Sequence, residues 1–182
     1  MEFRALGDLE VVHDGQALAL GSHQQRQVLA VLVLSAGEVI SADRLIEALW
    51  GERPPAAAAK TVQVYISRLR KALAVGGEVI VTADHGYVLR VDPERVDLCA
   101  FERLLDEGRR AFAEGEFGRA AAVLDEALGL WRGAPLADFA FDAFAAREIA
   151  RLRSCAWRRS RRGSTPTSRS AATRRWSPSS RR

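Results

Sequence analysis

Ala59-Lys-Thr-Val-Gln-Val-Tyr-Ile-Ser-Arg-Leu-Arg-Lys-Ala-Leu73 carries the most information of any segment in this 182-residue chain. On a helical wheel of about 100° per residue it separates into two faces. Val62, Ile66, Leu69 and Leu73 fall in a narrow apolar stripe; Lys60, Val64, Ser67 and Lys71 lie opposite, with Arg68 beside them and Gln63 and Arg70 on a flank. From Arg53 to Leu73 there are five basic residues and no acid. Such a helix, held in a core by one side and offering cations, an amide, a hydroxyl and a methyl-bearing Val on the other, suits a DNA major groove. A solvated basic face is an equally good reading of the helix alone, so its surroundings have to choose.

Upstream, Phe3–Leu6, Leu9–Val12 and Gln16–Leu20 read as short strands, the last two joined by the hairpin pair Asp14-Gly15. Ser22 caps a helix running to about Ser35, with Val28, Leu29, Leu32 and Val33 at helical spacing, and Ala36-Gly37 ends it. Glu38–Ile40 is a short extended link. Ser41 caps a second helix, Ala42–Trp50, which buries Leu45, Ile46, Leu49 and Trp50 and stops at Gly51. Pro54-Pro55 forbids continuation and prepares the basic helix. After Leu73 come Gly76-Gly77, a strand Glu78–Thr82, a turn Ala83–His85 and a strand Gly86–Val91. Strands, three helices and a closing hairpin, with the basic helix third, spell a winged helix-turn-helix whose core closes within residues 1–92.

Asp43-Arg-Leu-Ile-Glu-Ala-Leu-Trp50, Thr61–Leu73 and Gly86-Tyr87 closely resemble the OmpR/PhoB-type DNA-binding domain over the whole first half. The resemblance implies base contacts by Val64, against a thymine methyl, and by Arg68, with Gln63 and Ser67 as adjustable base contacts. It implies that Lys60, Thr61, Tyr65, Arg70 and Lys71 chiefly hold phosphates, which fixes register but carries little sequence information. The wing departs from the pattern: relatives place an Arg in the turn before Gly-Tyr, where this chain has Ala83-Asp84-His85. His85 is a weak substitute as a minor-groove contact, and an exposed turn residue is the plainer reading.

Asp92-Pro93 and the acidic segment to Asp97 make a tight linker to a second, all-α unit over 93–153. Leu98, Phe101, Leu104, Leu105, Ala111 and Phe112 set a first helix and Gly115-Glu-Phe117 turns the chain. Ala120, Val123, Leu124, Ala127, Leu128 and Trp131 set a second helix, and a third begins near Phe141. Two helices crossing at small residues resemble a tetratricopeptide-like pair. Val96-Asp-Leu98, Phe101-Glu, Ala127–Asp138 and Ala145–Leu152 resemble the bacterial transcriptional activator domain. Joined to an OmpR-type winged helix, that unit resembles the SARP/AfsR family, and the pairing favours DNA for the basic helix. The resemblance implies an activator of a secondary-metabolite (antibiotic) pathway that binds promoter direct repeats in double-stranded DNA. It also implies self-association on the DNA and recruitment of RNA polymerase. The expected architecture is mainly α with small β-sheets. The rival is a tetratricopeptide-like interaction module whose winged helix binds no DNA; an acidic recognition face would favour it.

Charge is lopsided. Residues 154–182 hold nine Arg, eight Ser and no acid, so the formal +4 of the chain reflects its tail, and the other 153 residues carry 18 basic and 23 acidic groups. The tail also lacks Leu, Ile and Val, a mixture that out-of-frame GC-rich DNA tends to encode. Codons permitted for Trp157–Ser164, read one nucleotide earlier, give Leu-Glu-Ala-Leu-Glu-Ala-Arg-Ile, an amphipathic continuation of the helical unit. A frameshifted tail, disordered and leaving that unit incomplete, is therefore expected; a basic arm or a native linker are the alternatives. Cys99 and Cys155 give no disulfide framework, and three His lie at no ligand spacing. There is no phosphate-cradling Gly loop and no nucleophile–base order, so no enzyme, cofactor or metal is expected. Without a charged-then-apolar start or a run of about 18 apolar residues, a cytoplasmic protein is expected and no membrane partner. No receiver domain precedes the winged helix, so no aspartyl-phosphate switch is expected either.

Overall fold

A computed structural model describes residues 1–146 and 149–150. Strands β1 (Glu2–Arg4), β2 (Glu10–His13) and β3 (Gln16–Ala17) form an antiparallel sheet in that order, with Phe3 opposite Val11 and Val12 opposite Ala17. Asp14 and Gly15 take φ of 48° and 78°, the left-handed pair that a two-residue hairpin needs. The strands are shorter than the apolar pattern predicts. Leu6 and Leu9 are buried but lie between β1 and β2, because the amides of Ala5, Leu6 and Leu9 bond to the carboxylates of Asp97 and Asp138 instead of to a strand.

Helix α1 (His23–Leu34) opens with a capping box in which the Ser22 hydroxyl accepts from the Gln25 amide and the Gln25 side chain accepts from the Ser22 amide. Residues 28–33 are all buried, so α1 is the central post of the fold. Gly37, at φ 84°, ends the turn after it and donates its amide to Leu89 O at 3.0 Å. After β4 (Ile40–Ser41), helix α2 (Ala42–Trp50) is capped by Ser41 and stopped by Gly51. Helix α3 (Ala58–Leu73) buries Val62, Ile66, Leu69 and Leu73, the stripe set by the 3.6-residue period. Strands β5 (Ile80–Ala83) and β6 (Gly86–Leu89) pair in a hairpin, and β6 also pairs with β4, giving the order β4-β6-β5. At Gly86 the β4 backbone comes so close that a Cβ would collide with the Ile40 carbonyl oxygen, which is why this position is glycine.

The second unit is a hairpin of α4 (Asp97–Ala113) and α5 (Phe117–Gly129), turned at Gly115 with φ 82°. Their seam is made by small residues. A Cβ at Gly108 would collide with Leu124, while Ala111, Ala120 and Ala127 are buried. This seam is narrower than the apolar periodicity suggests, so Phe112 and Leu128 stay partly exposed, at 49% and 38%. Phe112 instead meets Phe117 edge to face, with centroids 5.3 Å apart. Trp131 lies beyond α5, edge-on to Phe101 at 5.4 Å. The helical turn expected near Phe141 starts at 143, and Phe141 itself is fully exposed.

The core does not close at residue 92. Phe3 bridges in parallel to Val96, and one buried cluster runs from Phe3, Leu6, Leu29 and Leu32 through Val96, Leu98 and Phe101 to Phe139 and Ile149. The carbonyls of Ala5, Leu6 and Gly7 accept from the amides of Leu136, Arg132 and Ala137. Leu136 adopts an uncommon φ of 49° to make its bond, at 2.9 Å. Arg26 of α1 donates to Leu9 O and pairs with Asp138, and His23 lies 3.1 Å from Asp142. Two sequence-like modules thus share one interior. The Arg/Ser-rich tail, 154–182, lies outside the described residues.

Candidate nucleic-acid interface

The apolar stripe of α3 fixes which side faces outward. With Val62, Ile66 and Leu69 buried, Lys60, Gln63, Val64, Ser67, Arg68 and Lys71 are all exposed. Val64 is 40% exposed, an aliphatic surface in the middle of a polar face. Lys60, Arg68 and Lys71 have no ion-pair partner among the described residues, so their charges are unspent. Arg70 and Lys71 stand in the last turn, where cations also favour the helix dipole. Arg53, in the exposed loop between α2 and α3, extends the acid-free run.

Three of the residues assigned by sequence to phosphates have bonds within the protein. The Thr61 hydroxyl donates to Ala57 O at 3.0 Å. The Tyr65 hydroxyl donates to Gln24 Oε1 at 2.5 Å, tying α3 to α1. Arg70 donates from Nε to Ile80 O at 2.8 Å and from Nη2 to Thr82 Oγ1 at 2.7 Å. Gln24 and Thr82 are therefore part of the framework behind the face. Sequence reasoning missed both, since nothing in the run His23-Gln24-Gln25-Arg26 says which amide meets α3. His85 is exposed beside Asp84 in the two-residue tip of the β5–β6 hairpin.

Elsewhere the polar groups serve the structure. A shallow cavity of about 430 Å³ between the two units is lined by Arg4, Arg95, Asp97 and Arg132 among others, and shares no residue with α3 or the hairpin. Arg4 pairs with Glu2 and Arg132 with Glu10 there. Burial pushes the Asp97 carboxyl above its ordinary value, against the opposing pull of the Leu6 and Ala5 amides and of Arg132. The half-buried Cys99 thiol is likewise pushed up by burial and by Glu102, Asp97 and Glu94. Among the described residues no cluster of His, Cys, Asp and Glu could hold a metal, and no helix is long and apolar enough to cross a membrane.

Comparison with known proteins matches two families to successive parts of the chain. Residues 15–89 match the family described as transcriptional regulatory protein, C terminal, and residues 96–162 match the bacterial transcriptional activator domain. The chain is 38% identical over 161 residues to the regulatory protein DnrI of Streptomyces peucetius, covering 84% of this chain and 59% of DnrI. It is 41% identical over 143 residues to the transcriptional regulatory protein MoaR1 of Mycobacterium tuberculosis, covering 76% of this chain and 46% of MoaR1. It is 41% identical over 138 residues to the regulatory protein AfsR of Streptomyces coelicolor, covering 75% of this chain and 14% of AfsR. The solved structure of Mycobacterium tuberculosis EmbR in complex with a low-affinity phosphopeptide superposes with a TM-score of 0.82 at 34% identity, over 86% of this chain and 42% of that one. The chain thus spans less than two thirds of the length of these relatives. With an OmpR/PhoB-type winged helix running directly into a bacterial transcriptional activator domain, it belongs to the SARP/AfsR-type transcriptional regulators.

Proposed function

We propose that the protein is a sequence-specific DNA-binding activator. The observation that carries this reading is the outer face of α3, where Gln63, Val64, Ser67 and Arg68 lie together with no acid among them and no ion-pair partner for the arginine among the described residues. In the major groove, Arg68 would donate to the N7 and O6 acceptors of a guanine and Val64 would meet a thymine methyl, with Gln63 and Ser67 reading the flanking edges. Lys60 and Lys71 would hold phosphates and set the register, while Thr61 and Tyr65, whose hydroxyl protons go to Ala57 O and Gln24 Oε1, would reach a phosphate only by releasing those bonds. His85 and the hairpin tip would lie along the adjacent backbone. As the resemblance to SARP/AfsR-type activators implies, the proposed targets are direct repeats at promoters of a secondary-metabolite pathway, occupied by neighbouring copies that recruit RNA polymerase.

Selecting bound sequences from a random DNA pool, with half-site spacing recorded, tests this. Recovery of a repeated motif with a fixed spacing of about one helical turn, 10–11 base pairs, or its multiples supports the reading. Recovery of no motif, with binding that depends on salt alone, would leave only a non-specific basic surface.

A further inference from the structure

The wing hairpin has one protected and one open edge. In the order β4-β6-β5, β6 is paired on both sides and β5 is the edge strand. The Arg90 amide donates to Val79 O at 2.8 Å, so the bonded positions of this antiparallel pair alternate, and Ile80 and Thr82 turn their backbone groups away from β6. Arg70 meets that open edge. Its planar guanidinium spans alternate positions of the strand, donating to Ile80 O at 2.8 Å and to Thr82 Oγ1 at 2.7 Å. Only Ala83 then separates Thr82 from the Asp84-His85 tip.

We propose that Arg70 is a positioning residue, which braces the wing against the recognition helix and so sets the angle at which the hairpin tip meets DNA. The inference rests on the DNA-binding reading above. Among the basic residues of α3, Arg70 alone is engaged in this way; Lys60, Arg68 and Lys71 have no such bond among the described residues. To reach a phosphate, Arg70 would have to release two charge-assisted bonds and leave the Ile80 carbonyl without its donor. The two sides of the wing are then held differently. On one side the Gly86 backbone sits tightly on β4; on the other a rigid fork from α3 holds β5. A fork is required because a lysine ammonium on its flexible stem does not present two fixed, parallel donors.

The test uses the full chain, with Arg70→Ala, Arg70→Lys and Thr82→Val, and with Lys71→Ala as the phosphate-contact reference. Two measurements are made: amide hydrogen exchange over residues 80–89 without DNA, and affinity for a selected DNA site as a function of salt. A brace predicts faster exchange at 80–89 in all three variants. It also predicts that Arg70→Lys, which keeps the charge, loses about tenfold in specific affinity while its salt slope stays parental. Thr82→Val, which removes no charge, should show a smaller loss in the same direction. The proposal is overturned if Arg70→Lys binds like the parent while Arg70→Ala behaves like Lys71→Ala, with the slope flattened by about one unit. Unchanged exchange in Arg70→Ala would overturn it as well. If the parent selects no DNA at all, the functional reading falls, yet the exchange measurement still decides whether Arg70 holds the wing.

Discussion

Arg68 and Lys71 stand less than a turn apart on one exposed face, and the roles proposed for them separate by what each atom can read. Arg68→Ala should weaken specific binding by roughly 1–3 kcal/mol and relax preference at one base position. Lys71→Ala should weaken all sequences nearly alike and reduce the salt slope by about one unit. Competition titrations with specific and random DNA distinguish the two, and equal losses for Arg68→Ala on both would reduce it to a phosphate contact. Asp97 matters for a different reason. Its carboxylate accepts from the amides of Ala5 and Leu6, 92 and 91 positions away. Asp97→Ala would orphan both donors, and a loss of about 2–3 kcal/mol in urea denaturation is expected. Because burial raises its pKa, the folded chain binds this proton more tightly than the unfolded chain. Its contribution to stability therefore falls as pH rises through the raised value. The parent should accordingly lose stability relative to Asp97→Asn as pH rises above the ordinary carboxylate value of 3.8; parallel pH curves would contradict this.

Among the elements, the helices were legible and the pairing of their side chains was not. The 3.6-residue stripe of α3, the Ser22 and Ser41 caps and the Asp14-Gly15 turn are local signals, and each lies where its spacing puts it. The exposed side of α3 follows directly from that stripe, so most of the candidate site could be read in advance. Tyr65 and Arg70 could not, since their partners on α1 and β5 depend on how distant segments pack. The same limit explains β1 and β2, whose ends are set by acids more than a hundred residues away in one case, Leu9 with Asp138. The hairpin tip supports a further prediction. Ala83→Arg places a cation where OmpR/PhoB-type wings carry one, and should tighten DNA binding with little base selectivity unless the site has a narrow A·T-rich minor groove. Unchanged affinity at low salt would mean that the wing stays clear of the DNA. At the α4–α5 seam, Gly108→Ala should cost about 1–3 kcal/mol by forcing Leu124 aside, as read from the thermal midpoint.

For the molecule as a whole, the boundary between the two matched families, 15–89 and 96–162, is not a mechanical boundary. Segment 5–9 belongs to the winged-helix half by position, yet its amides and carbonyls bond to Asp97, Arg132, Leu136, Ala137 and Asp138 of the other half. The full chain should unfold in a single cooperative step, with probes in α1 and α4 melting together. Two resolved transitions would show that the halves are independent after all. The clamp also bears on modularity. A recombinant that exchanges residues 1–92 for the corresponding part of a relative inherits a foreign 5–9 segment, and must match the acids at 97 and 138 as well as the turn at Leu136. The link between the first two strands of the winged helix is held by residues of the other half, so the two parts are expected to be inherited, and successfully transplanted, only as a pair.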